Sequence, residues 1–162
     1  MTAVIADTDI LSTFGKGDRL DLLRQLFQHI YVVPAVYREL LQAERMGFPW
    51  VNRVTPVVEV LPLTTDEAQE VERLVRQYPQ LGCGEVESFV LAQTHQLLCL
   101  TNDRQAKAIA NSLSLSYLDL EEILRALKTK AILTTEALAA LIDQIEQEDR
   151  TRIRAKEDIL NN

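Results

Sequence analysis

The feature that most restricts the fold is a set of short, uninterrupted apolar runs placed between helical patterns. Residues 3–7, Ile30-Tyr31-Val32-Val33 and Leu97-Leu98-Cys99-Leu100-Thr101 show no alternation of polar and apolar side chains. Strands read this way when helices cover both faces of their sheet, whereas a half-exposed antiparallel strand alternates. Val57–Leu61 is a further strand candidate, and Leu113–Leu118 a last short one. Amphipathic segments lie between the runs. One carries Leu20, Leu22, Leu23, Leu26 and Phe27, a second Val36, Tyr37, Leu40 and Leu41 after Pro34, and others span about Thr65–Tyr78 and Glu85–His95. Strands alternating with helices predict an α/β protein: a three-layer α/β/α sandwich on a compact parallel sheet of four or five strands, with right-handed crossovers.

Finer details are expected as follows. A short helix over 9–14 ends at Gly15-Lys16-Gly17, and Asp18 caps the next helix. Phe48 and Trp50 pack locally. Leu81-Gly82-Cys83-Gly84 forms a turn. From Asp119 the pattern is helical, with stripes Ile123, Leu124, Leu127 and Leu138, Leu141, Ile142, Ile145. The highly charged stretch from Glu146 to Lys156 reads as a solvated helix or frayed tail. No repeat or linker divides the 162 residues, so one domain is expected, with a core over about 3–118 and C-terminal helices over about 119–160.

Composition narrows the function. The net charge of −7 argues against a general nucleic-acid coating protein, and any basic surface for a polyanion must be local or supplied by a partner. It leaves room for an acid cluster that holds a divalent cation, since the ion reverses the local field. No run approaches the roughly 18 apolar residues of a membrane span, and no signal peptide is visible at the N-terminus. Cys83 and Cys99 have neither metal-ligand nor disulfide-framework spacing, as expected of a reducing cytoplasm.

The acids carry the chemistry. Asp7 ends the first strand. Asp103 lies two residues past the run Leu97–Thr101 and opens a helix. Glu85 follows the glycine turn and starts the helix leading into that run. Glu39 is five residues after Pro34, about 7.5 Å along its helix. All four therefore fall near the carboxyl edge of the sheet, where open α/β folds bind ligands. Each alone reads equally as a cap or a surface charge. Together they repel unless a cation neutralises them, and an all-oxygen donor set without His or Cys favours Mg²⁺ or Mn²⁺. His29 and His95 have no partner at ligand spacing and are expected to be structural.

Ile5-Ala6-Asp7-Thr8-Asp9-Ile10-Leu11, Val33-Pro34-Ala35-Val36-Tyr37-Arg38-Glu39-Leu40, Gly82-Cys83-Gly84-Glu85-Val86-Glu87 and Leu100-Thr101-Asn102-Asp103-Arg104 resemble, in order, the four motifs of the PIN-domain nucleases. The resemblance covers about residues 3–118, and the Gly-x-Gly-Glu-x-Glu form with the helical tail is similar to small prokaryotic proteins related to VapC-type toxins. It implies a Mg²⁺- or Mn²⁺-dependent endoribonuclease, often dimeric and often paired with an antitoxin. It also implies that Asp7, Glu39, Glu85 and Asp103 are the metal-site acids. Asp9 stands where the family often has Asn or Ser, so it either joins the site or caps the helix. Glu85 and Glu87 are about 200° apart on a helix and cannot both face one ion. Counting back from Asp103 favours Glu85. Thr8 either positions a phosphate or water or caps the helix, with the cap preferred, and Arg104 either contacts phosphate or is a plain surface arginine.

Two other functions fit parts of the pattern. A haloacid-dehalogenase-type phosphatase would use Asp7 and Asp9 as nucleophile and acid, but leaves Glu39 and Glu85 without a role. A non-catalytic PIN-like binding module has no need of four acids.

Overall fold

The computed structural model describes residues 2–162. Five strands, Ala3–Ala6 (β1), His29–Val32 (β2), Glu59–Val60 (β3), Leu98–Leu100 (β4) and Tyr117–Leu118 (β5), form one sheet in the order β3-β2-β1-β4-β5, with every pairing parallel. The helices are Thr8–Lys16 (α1), Leu20–Leu26 (α2), Pro34–Arg45 (α3), Val51–Val54 (α4), Thr65–Gln77 (α5), Cys83–His95 (α6), Arg104–Ser112 (α7), Leu120–Thr129 (α8), Thr135–Glu148 (α9) and Lys156–Asn161 (α10). The result is the expected α/β/α arrangement on a parallel sheet. β1 is central. Val4 pairs with Ile30 on one side and Leu98 on the other, and Val4, Ile5 and Ala6 are fully buried, which is why this run is apolar without interruption. The chain builds β2 and β3 on one side of β1, then crosses to β4 and β5. The reversal between β1 and β4 is the kind of switch point at which open sheets bind ligands.

Several boundaries differ from expectation. α1 continues through Gly15 to Lys16 because this glycine is a contact point rather than a stop: a Cβ on it would lie 3.0 Å from Val54 Cγ2 and 3.4 Å from the Trp50 ring. Asp18 does not cap α2. It takes a left-handed conformation at φ 55°, its N–H donates to the Gly15 carbonyl at 3.1 Å, and Arg19 N–H donates to Phe14 O at 2.8 Å. That pair of bonds closes α1, using the tolerance of Asp for this region. The N-cap of α2 is Arg19, which makes no side-chain cap bond. β3 and β5 are two-residue edge strands rather than the longer runs expected. Trp50 is buried as expected, whereas Phe48 is 46% exposed.

The C-terminal part is not a frayed tail. Ile153 and Ile159 are buried and join the same hydrophobic cluster as β1. Polar ties reinforce the docking: Arg125 pairs with Asp158, Lys156 with Asp143, and Lys128 Nζ donates to the carbonyl of Leu160. Two isoleucines in a charged stretch suffice because each meets an already formed apolar surface between α8 and α9. Among the described residues no helix is long and apolar enough to cross a membrane, and both cysteines are free.

Candidate active site

The parallel register brings the ends of β1 and β4 side by side. Asp7 N–H donates to Leu100 O at 3.1 Å, one step beyond the last strand pair. Asp7 then becomes the N-cap of α1, its Oδ1 accepting from Ile10 N–H at 2.8 Å. Asp103 repeats the device on the neighbouring strand: it caps α7, with Oδ1 accepting from Ala106 N–H at 2.8 Å. In both, one carboxylate oxygen is spent on the helix while the other is free of that bond. The cap and the ligand readings of these residues are therefore compatible.

Glu85 arrives differently from expectation. Gly82 is the N-cap of α6, so Cys83 and Gly84 already belong to the helix, and Glu85 is its third residue, with Oε2 accepting from Gly82 N–H at 2.7 Å. Gly84 is required by packing, since a Cβ there would lie 3.0 Å from Val36 Cγ2 of α3. This close approach sets α3 beside α6 and brings Glu39 to the site. Glu39 Oε2 accepts a hydrogen bond from the Thr8 hydroxyl. The cap of α1 is Asp7, and the Thr8 side chain instead ties α1 to α3.

A cavity of about 230 Å³ is lined by Asp7, Thr8, Asp9, Val36, Glu39, Gly82, Gly84 and Glu85. Asp103 lies outside this lining, yet close enough for its charge to raise the Glu85 pKa, as do Asp9 and Glu39. Burial is the larger cause for Glu85, and the Gly82 N–H partly offsets it. Asp7 is more strongly affected. Burial, with a smaller push from Asp9, raises it from 3.8 to about 7, against the lowering effect of the Ile10 N–H, the Thr101 hydroxyl and the Asn102 N–H.

Glu87 does not line the cavity. It is buried, and its Oε2 accepts from Ala35 N–H at 2.8 Å, while Cys83 Sγ and Arg38 Nη2 each lie 3.7 Å from Oε1. The reason lies in α3. Its N-cap Val33 has no side-chain cap and Pro34 has no N–H, so Ala35 carries the first unsatisfied donor, and Glu87 fills it from another helix. Arg104 is exposed at the first position of α7. His29 and His95 pair with Glu59 and Glu67, away from the cavity. The sequence gave no sign of the Thr8–Glu39 tie, which joins residues 31 apart.

The donor chemistry suits a hard divalent cation: carboxylates and a hydroxyl, no thiolate or imidazole, and two acids whose ionised forms are disfavoured by burial and by neighbouring acids. Among the described residues no three such side chains are arranged to grip an ion as they stand. Two of them are turned aside, Glu39 to the Thr8 hydroxyl and Glu85 to the Gly82 N–H. Both bonds can be released by rotation of a flexible side chain.

A parallel sheet with carboxylates gathered at its switch point is the arrangement expected of a PIN-like fold, and comparison with known proteins identifies the family. The PIN domain family model matches residues 3–161, so the chain belongs to the PIN-domain family, C-terminal helices included. A crystal structure of PAE2754 from Pyrobaculum aerophilum superposes with a TM-score of 0.60 at 18% identity, covering 79% of this chain and 98% of the other. A toxin–antitoxin complex from Klebsiella pneumoniae gives a TM-score of 0.50 at 19% identity, covering 65% and 91% respectively. At these identities the likeness is one of fold. No curated protein matches the sequence significantly.

Proposed function

We propose that the protein is a Mg²⁺- or Mn²⁺-dependent endoribonuclease that hydrolyses phosphodiester bonds of RNA. The observation that carries this reading is the convergence of Asp7, Glu39 and Glu85 on one cavity, with Asp103 at its edge. These four acids would hold the cation. When bound, the cation supplies Lewis acidity to the attacking water and positive charge to the phosphodiester. Asp7, set deepest and with its ionised form most disfavoured, gains most from a positive neighbour. Thr8, next to Asp7, ties Glu39 to the start of α1. Asp9 lines the cavity as an additional acid, and Arg104, exposed next to Asp103, would meet a substrate phosphate. Glu87 positions α3 and through it Glu39.

We further propose that the protein acts in the cytoplasm as the toxin of a toxin–antitoxin pair, as a homodimer. The fold it shares with a chain of a toxin–antitoxin complex supports that role. Purified protein should cut single-stranded RNA with Mn²⁺ or Mg²⁺, and Asp7→Asn should abolish cutting while the chain stays folded. Hydrolysis of para-nitrophenyl phosphate without RNA cleavage would instead favour the phosphatase. Tight capture of a partner with neither activity would favour a binding module.

A further inference from the structure

We propose that the segment between α9 and α10 is an arginine-bearing rail that holds the RNA backbone as it enters the acid-lined cavity. This inference rests on the ribonuclease reading and names the part of the molecule that meets the substrate outside the cavity. An acidic protein needs a local basic surface to hold a polyanion, and the stretch Arg150-Thr151-Arg152-Ile153-Arg154 is the place where one is built. Arg150, Arg152 and Arg154 are all exposed, and among the described residues none of the three forms an ion pair.

Most of the acids around them are engaged elsewhere, although exposed Glu148 and Glu157 form no ion pair among the described residues. Asp149 bonds Thr13 and Lys16 of α1, Asp158 pairs with Arg125, and Asp143 and Glu146 pair with Lys156. The three guanidinium groups thus outnumber the unpaired acids of this segment, Glu148 and Glu157. Its backbone is fixed: buried Ile153 sits between the exposed Arg152 and Arg154, and Ala155 N–H donates to Glu121 at 3.4 Å.

Position makes the rail relevant. A cleft of about 170 Å³ runs beside the carboxyl edge of β4, and Arg152 and Asn102 are among its lining residues. Its acids are already satisfied, Asp119 by Lys107 at 3.0 Å and Glu121 by the Ala155 N–H. Asn102 joins the cleft to the site: it follows Thr101 at the end of β4, where Asp7 N–H donates to Leu100 O, and its next neighbour is Asp103. The cleft and the cavity thus both lie at the carboxyl ends of the neighbouring strands β1 and β4. Arginines contacting phosphates add affinity without reading sequence, so the rail should bind RNA of any sequence and lose its grip in salt.

The test compares wild type with the triple variants Arg150→Ala/Arg152→Ala/Arg154→Ala and Arg150→Lys/Arg152→Lys/Arg154→Lys. Binding of a fluorescent single-stranded RNA is followed by anisotropy in EDTA across a salt series. Thermal melting confirms that each variant is folded, and RNA cleavage is measured separately with Mn²⁺. The Ala variant should bind RNA at least tenfold more weakly at low salt, with a log–log salt slope shallower by about 2 for three phosphate contacts on a single strand. The Lys variant should stay much nearer wild type, because counterion release depends on the charge brought to the phosphate and Lys keeps it. A folded Ala variant with wild-type affinity and slope overturns the rail, as does equal loss from Ala and Lys. If wild type itself neither binds nor cuts RNA, it is the ribonuclease reading that fails.

Discussion

Replacing Asp7 by Asn separates its two roles by their opposite effects on stability. Asn keeps an oxygen to accept from the Ile10 N–H, so the cap survives and only the charge is lost. Burial raises the Asp7 pKa from 3.8 to about 7. At ~1.4 kcal/mol per tenfold change in proton affinity, this corresponds to a penalty on the order of 4 kcal/mol against the ionised form. The folded value lies above the unfolded one, so the folded chain binds the extra proton. Stability from this group is therefore lost as pH rises from about 4 to about 7, and stays lost above. In EDTA, urea unfolding should show wild type weaker at pH 8 than at pH 5. Asp7→Asn should remove most of that slope and be the more stable protein at pH 8. Mn²⁺ should then close the gap: at one thousand times its Kd it adds about 4.1 kcal/mol to wild type, matching the burial penalty, and nothing to the variant. If Asp7→Asn is instead weaker than wild type by a similar amount at both pH values, and indifferent to Mn²⁺, the residue is a helix cap only.

Three other substitutions test separate links. Glu85→Gln keeps a side chain able to accept from Gly82 N–H, so it should melt within a few degrees of wild type yet lose Mn²⁺-dependent cleavage; retained cleavage would remove Glu85 from the site. Glu87→Ala strands the buried Ala35 N–H and should cost about 1–3 kcal/mol in urea unfolding, with metal affinity of the folded fraction much less affected than by Glu85→Gln. Ile159→Ala, at a fully buried position, should cost about 2–4 kcal/mol and speed hydrogen exchange in α10; an unchanged melt would mean the C-terminal helix is not docked.

The strands at the heart of the sheet were legible because burial on both faces leaves one kind of residue to use: β1 and β4 are continuous apolar runs, while β2 adds an exposed His29 ahead of its apolar residues. The convergence of Asp7, Asp103, Glu85 and Glu39 followed from topology alone, since a parallel sheet puts all strand ends of one sense together. Edge strands were overcalled because β3, with both residues exposed, gains nothing from the apolar residues around it that a loop would not also gain. Local propensity misled where a distant contact decided the matter. Gly15 and Gly84 look like breakers, but each sits inside a helix because another helix leaves no room for a Cβ. Glu85 against Glu87 could be narrowed by counting, but the reason Glu87 turns away, an amide on α3 left without a partner, is 52 residues distant. The docking of the charged C-terminal stretch rests on Ile153 and Ile159, too sparse for a periodic signal.

The central claim is that the acid-lined cavity is a divalent-cation site. A crystal structure of the protein grown with Mn²⁺, with anomalous data collected for manganese, tests it most directly. The account predicts an anomalous peak against the Asp7 carboxylate, with Glu39 released from Thr8 and Glu85 released from the Gly82 N–H to reach it. Saturating Mn²⁺ with no peak in the cavity, and both of those hydrogen bonds still in place, would contradict it.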